Sequence, residues 1–392
     1  MVNFSASRFF ALLGSLSLFF FAFAIPATLT YLWFHSAFFA PVDSDATEVV
    51  SFEIGKGLDL ATIAKRLEEQ KLVNNWWSIY WIGRLKKLDQ QVKAGEYRLT
   101  ASLTPKEILE KFVKGDIVYH EVTIPEGTNS NEIAALLAST TLTTIEEVQQ
   151  KYRDPLLLRQ LMISSSTFEG YLFPDTYRFS KPDTAADMVQ RMVEEGKKRF
   201  TPEMLDRAND LGLNLHQVLT LASIIEKETG TETERPLISS VFHNRLRLGM
   251  PLQSDPTVIY GIENFDGNLR REHLETPGPY NTYLNAGLPP TPIASPGLES
   301  IKAALYPADS AYLYFVGKGD GTHQFSETYK DHEAAVREYQ KGRAAIPPKP
   351  PQAPSEIAPL ISPPLPEVKS GTERSKPKKK ITPIRRLDPV RD

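Results

Sequence analysis

The stretch SFEIGKGLDLATIAKRLEEQ, Ser51 to Gln70, reads as strand, turn and helix. Phe52 and Ile54 alternate with polar neighbours, Gly55 and Gly57 mark a turn, and Leu60, Ile63, Ala64 and Leu67 recur at helical spacing. Seventy residues on, EVTIPEGTNSNEIAALLAST (Glu121 to Thr140) returns to the same pattern, with Ile54/Ile124, Gly57/Gly127, Ile63/Ile133, Ala64/Ala134 and Leu67/Leu137 in register. Two such units predict an α+β fold. Strand–turn–helix units are common, so the match leaves true repetition and coincidence equally open.

The first unit runs on through a helix at NWWSIYWIGRLKK, a short strand at GEYRL and a helix at TPKEILEKFVKG. In the last of these Thr104 precedes Pro105 and Glu107 stands three further on, the pattern of a capping box. A compact βααβ module is expected at 45–117, and a larger α+β domain at 118–345 with helices at 131–139, 145–152, 155–162, 184–198, 202–210 and 215–228. Ahead of both, no Asp, Glu, Lys or Arg occurs between Arg8 and Asp43, and Phe9 to Phe34 is dense in Phe, Leu and Ala. That run exceeds the ~20 apolar residues a spanning helix needs. With Arg8 on one side and Asp43, Asp45 and Glu48 on the other, residues 1–40 are expected to be a cytoplasmic stub and single membrane anchor that exports the rest. The rival is a signal peptide cut after Ala22–Ala24, against which stands the continuation of the apolar run through IPATLTYLWF. Residues 346–392 are rich in proline and end in a basic cluster, Lys376 to Arg386, so a disordered tail is expected, either merely solvating or touching anionic lipid or an acidic polymer.

The chain of 392 residues is 41% apolar and 24% charged, ordinary for a globular protein. Its net charge of −3 and the lack of a basic patch in the folded part give no reason to expect nucleic acid. There is no cysteine, which excludes disulfides, thiol nucleophiles and cysteine–zinc sites. The seven histidines show no HExxH spacing, so no metal or other cofactor is expected. His323 and Ser326 lie close together, but no GxSxG elbow accompanies them.

Four stretches hold candidate chemistry. In LASIIEKETG (Leu221–Gly230) an apolar run ends abruptly at Glu226, with Gly230 as the expected helix stop. Burial and the negative end of the helix dipole would both keep a proton on Glu226. The bland alternative makes it the first wet residue, paired with Lys227 or Arg235. In STFEGYLFPDTYRF, Glu169, Tyr171, Asp175 and Tyr177 alternate with phenylalanines, suiting either sugar rings or a core corner. Gln253 and Asp255 precede Pro256 in MPLQSDPTVIYG, and Tyr280, Asn281, Tyr283 and Asn285 lie in the proline-rich loop PYNTYLNAGLPPTPIASPG. These groups suit a polar, largely uncharged ligand, or equally a satisfied turn.

Taken together, EGYLFPDTY, LASIIEKETG, VFHNRLRLGMPLQSDPTVIYG, YNTYLNAGLPPTPIASPG and ALYPADSAYLYFVGKGDGTHQFSETYKDH resemble the endolytic murein transglycosylase (YceG-like) family, in family order over about 45–340. The tail is not part of that pattern. The resemblance implies a LysM-like module at the first unit, a transglycosylase domain behind it, and anchorage in the cell inner membrane with the catalytic domain periplasmic. It implies cleavage between N-acetylmuramic acid and N-acetylglucosamine within peptidoglycan glycan strands, leaving 1,6-anhydro ends. It assigns Glu226 as the catalytic acid, with Lys227 and Glu228 as the flank that leads the helix out. Glu169, Asp175 and Asp255 remain for sugar binding, and peptidoglycan synthases are the expected protein partners. A non-catalytic glycan-binding scaffold and a hydrolytic muramidase are the competing readings.

Overall fold

The structure, a computed structural model, describes residues 6–340, and side chains from Phe20 onward except Ala37. The expected tail at 346–392 lies outside the described residues.

Helix α1 (Ala6–Phe39) contains Pro26 and leads into the first compact unit. Its described side chains are largely exposed, among them Phe20, Phe23, Leu29, Leu32 and Trp33. Among the described residues no helix is long and apolar enough to cross a membrane; much of the apolar run of α1 falls on side chains before Phe20.

The stretch from Ser51 folds as read, into β1 (Val50–Ile54) and α2 (Leu60–Glu69), followed by α3 (Trp76–Leu85), β2 (Gly95–Leu99) and α4 (Pro105–Lys114). β1 and β2 pair antiparallel with Phe52 opposite Tyr97. The capping box at Thr104 and Glu107 is present. One hydrophobic core, from Phe52 to Phe112, belongs to this unit.

The larger unit opens on β3 (His120–Thr123) and α5 (Ser130–Ala138), then α6 (Ile145–Tyr152), α7 (Pro155–Gln160), β4 (Thr176–Phe179), α8 (Ala185–Arg199) and α9 (Pro202–Asp210). There follow α10 (Leu215–Glu228), α11 (Arg235–Arg247), α12 (Asp255–Tyr260), α13 (Arg271–Glu275), α14 (Leu298–Leu305), β5 (Tyr314–Gly317), β6 (His323–Ser326) and α15 (Tyr329–Tyr339). β3 pairs antiparallel with β4, and β5 with β6. The mixture of many helices with small antiparallel sheets is an α+β fold. A second core, from Val122 to Leu305, is centred on α10, whose residues Val218 to Ile225 are all buried.

The register between the two strand–turn–helix units holds in three dimensions. Gly57 and Gly127 both adopt positive φ, 78° and 74°. Asp59 and Asn129, at equivalent positions, cap α2 and α5 through their side chains. Ile63, Ala64 and Leu67 are buried in one core as Ile133, Ala134 and Leu137 are in the other. The units are joined by Lys56, which reaches Asp187 at 2.9 Å and Asp183 at 3.7 Å, and by the Val118 amide donating to the Glu96 carbonyl at 2.7 Å.

Candidate active site

Helix α10 delivers two carboxyl groups, two residues apart, into different surroundings. Its N-terminus is fixed by a capping box between Asn214 and Gln217, and its body is buried on all faces. The helix ends at Glu228, and Thr229 turns extended while donating its hydroxyl to the Ile225 carbonyl at 2.6 Å. Gly230 is therefore not a left-handed stop. It lies directly against the carbonyl of Gly321, where a Cβ would collide.

Glu226 emerges among polar groups. Its Oε2 accepts the Gly297 amide at 3.0 Å, its Oε1 stands 3.7 Å from the Arg235 guanidinium, and its side chain keeps 9% of its surface. Glu126, in the IPEG turn after β3, faces the same guanidinium at 3.9 Å and packs against Gly297. Burial, reinforced by the nearby Glu226 charge, raises the Glu126 carboxyl, and Arg235 opposes this. The turn is laced to the proline-rich loop by Gly127 N–H to Ser295 carbonyl at 2.8 Å and Ser295 N–H to Thr128 carbonyl at 2.9 Å. On the Arg235 side opens a recess of about 520 Å³ lined by Glu232, Glu299, Lys302 and Tyr306.

Glu228, expected to lead the helix out into water, is only partly exposed and turns toward Ser254. Its Oε1 accepts the Ser254 hydroxyl at 2.6 Å, and burial of the carboxyl pushes its pKa up to about 7. The Ser254 hydrogen bond pulls the other way, Asp255 adds to the rise, and Arg245 opposes it. Position at the last turn of α10, where carbonyls point outward, further disfavours the charge.

Around Glu228 gather three of the residues marked from sequence. Asp255, exposed at the start of α12, accepts the Tyr283 hydroxyl at 2.6 Å. Gln253 adopts φ 53° and accepts from Arg245 Nη1 at 3.2 Å. Arg245 is itself buried, donating to the carbonyls of Leu252, Pro251 and Leu313 and lying 5.2 Å over the Tyr314 ring. It is a rigid post for the 251–253 bend.

The other marked residues all have partners within the protein, and Asp175 and Asn285 also keep exposed surface. Glu169 is 2% exposed and accepts from the Ser130 amide and hydroxyl and from the Tyr260 hydroxyl at 2.9 Å, out of reach of a sugar. Tyr171 bonds His216 at 2.8 Å, and Tyr177 donates to the Phe173 carbonyl at 2.6 Å; both are buried. Asp175 pairs with Arg199 at 2.9 Å. Tyr280 bonds Thr291 at 2.8 Å. Asn281, buried, donates to the Leu274 and Thr276 carbonyls, and Asn285 to those of Gly278 and Asn281. Sequence reasoning missed Glu228, Ser254 and Arg245. The signal available was the second carboxyl of EKE, which periodicity places on another side of α10 from the first.

The fold and site define an α+β protein with a partly buried carboxyl, bonded to Ser254, at the end of its central helix. The YceG-like family model matches residues 52–338, and the chain belongs to that family. It is 33% identical over 315 residues to the endolytic murein transglycosylase of Bacillus subtilis (strain 168), covering 76% of this chain and 87% of that one. To the protein of the same name from Streptococcus pneumoniae serotype 2 (strain D39 / NCTC 7466) it is 30% identical over 333 residues, covering 76% of this chain and 60% of that one. A crystal structure of a YceG-like protein from Listeria monocytogenes is similar at a TM-score of 0.52 and 32% identity, covering 74% of this chain and 99% of that one.

Proposed function

We propose that this protein is an endolytic peptidoglycan transglycosylase that cuts between N-acetylmuramic acid and N-acetylglucosamine inside glycan strands, with Glu228 as its acid. The carrying observation is the partly exposed Glu228 carboxyl, held by Ser254 beside Asp255 and Arg245 and raised to about 7. Membership of a family whose relatives bear that name supports the substrate class.

In this reading Glu228 gives its proton to the glycosidic oxygen as the bond to muramyl C1 breaks. The resulting carboxylate then takes the proton of the muramyl C6 hydroxyl as that oxygen bonds to C1. No water is consumed, a 1,6-anhydro end forms, and one carboxyl performs both transfers. Tyr283, oriented by Asp255, and Gln253, held by Arg245, meet the sugar hydroxyls.

A second reading keeps Glu226 as the acid, favoured by its small residual exposure and by the recess beside Arg235. One experiment separates them. Glycan strands are digested with the full chain and with Glu226→Gln and Glu228→Gln, and the ends are analysed by mass spectrometry. Anhydro ends are expected, with Glu228→Gln slowing release by ~10²–10⁴-fold and Glu226→Gln by far less. The reverse order would return the role to Glu226, reducing ends would mean a muramidase, and no cleavage a scaffold.

The remaining architecture belongs to the same proposal. α1 is a single inner-membrane anchor with the N-terminus cytoplasmic, the unit at 45–117 is a LysM-like glycan-binding module, and the catalytic domain at 118–345 faces the periplasm. The enzyme there ends nascent strands in company with peptidoglycan synthases.

A further inference from the structure

Of the four tryptophans of the chain, Trp33 lies on α1 and Trp76, Trp77 and Trp81 lie on α3, with Trp33 and Trp77 in contact across the join. Trp77 packs on Phe38 of α1 at 4.2 Å between ring centroids and on Trp33 at 6.5 Å. The join is tied by backbone as well: the amides of Val42 and Asp43 donate to the Ala101 carbonyl at 3.1 Å, and Asn74 donates to the Pro41 carbonyl at 3.2 Å. Helix α3 turns Ser78, Ile79 and Gly83 into its core. Trp77, Trp81 and Leu85 run at four-residue spacing along a flank of the helix, and Trp81 is 50% and Leu85 79% exposed. Arg84, paired with Asp89 at 3.2 Å, stands in the last turn, and Lys86 and Lys87 follow just past it, all exposed.

We infer that this outer stripe of α3 rests in the headgroup layer of the bilayer that α1 enters, laying the 45–117 unit against the membrane. The inference rests on the proposed anchor reading of α1. Tryptophan concentrates at the membrane–water boundary because its ring is apolar and its N–H is not, and basic residues beside it meet anionic headgroups. The last turns of α1, with Tyr31, Trp33, Phe34, Phe38 and Phe39, carry such a belt already, and Trp77 continues it sideways onto α3. The apolar run of α1 from Phe9 to Phe34 is about 39 Å long at helical rise, against a hydrocarbon core of ~30 Å, so α1 tilts. A tilted helix brings one side of the attached unit down to the surface, and Trp77 marks which side.

The test uses the full chain reconstituted in vesicles of phosphatidylcholine and phosphatidylglycerol, in single-tryptophan forms retaining either Trp33 or Trp81 with the other three replaced by phenylalanine. Lipids brominated near the headgroup or deep in the acyl chain serve as quenchers. Trp81 emission is expected to fall at least about twofold with shallow bromines, less with deep ones, and to resist aqueous acrylamide. Adding Leu85→Lys to the Trp81 form should weaken that quenching. Trp81 untouched by bromine but open to acrylamide, while Trp33 is quenched, overturns the inference and leaves the anchor intact. Trp33 untouched by either lipid overturns the anchor as well. Trp81 shielded from acrylamide without bromine quenching, in proportion to protein density in the vesicle, marks a contact between copies and also overturns it.

Discussion

Glu228 holds a carboxyl raised from 4.5 to about 7, and this has a consequence for stability as well as chemistry. The folded chain binds that proton more tightly than the unfolded chain, so its contribution is complete below pH 4.5 and is lost as pH rises through about 7. The total is roughly 3 kcal/mol at ~1.36 kcal/mol per unit. Glu228→Gln cannot ionise. Melting of the two proteins side by side should therefore show the variant gaining stability relative to wild type at pH 8 and not at pH 4. Activity of the wild type should fall over the same interval, as the acid loses its proton. A relative stability that does not change with pH would mean that the fold does not raise the Glu228 carboxyl. Glu169 gives the contrasting case: Glu169→Ala strands the Ser130 amide and the Tyr260 hydroxyl and should cost about 3 kcal/mol in denaturant unfolding. The folded fraction should keep its glycan affinity, since the side chain faces inward.

At the level of elements, much was legible because local rules and tertiary packing agree here. The helix expected at 215–228 is α10 to the residue, and the one expected at 184–198 is α8 displaced by one. The aromatic stretch around Tyr171 and Tyr177 was readable as core or as sugar platform, and packing decided for core. Legibility failed where side-chain direction depends on a partner distant in sequence. Nothing near Glu228 announces that Ser254 waits 26 residues on, and Gly230 reads as a helix stop while its reason lies at Gly321. Since α10 carries both carboxyls, its N-cap matters for the site. Asn214→Ala should lower stability by ~1 kcal/mol, measured by denaturant midpoint, while leaving the cleavage products unchanged.

The whole molecule has two cores, one from Phe52 to Phe112 and one from Val122 to Leu305. The ion pairs of Lys56 with Asp183 and Asp187 across the join involve a lysine that is 57% exposed, and exposed pairs contribute ~0–1 kcal/mol. Lys56→Ala should accordingly move neither core's melting by more than about 1 kcal/mol. Small-angle scattering should instead report a looser join, as should high salt on the wild type. A single melting transition abolished as a whole by Lys56→Ala would refute independent cores.

The seventy-residue register sets Lys56 and Glu126 at the same place in their turns. Each is used as a clasp: Lys56 toward Asp183 and Asp187, Glu126 toward Arg235. If the two look-alike segments traded places during folding, lysine would confront arginine and glutamate would confront two aspartates. Opposite charge at one shared position thus works as a sorting tag, letting a chain with two near-copies of one pattern seat each in its own berth.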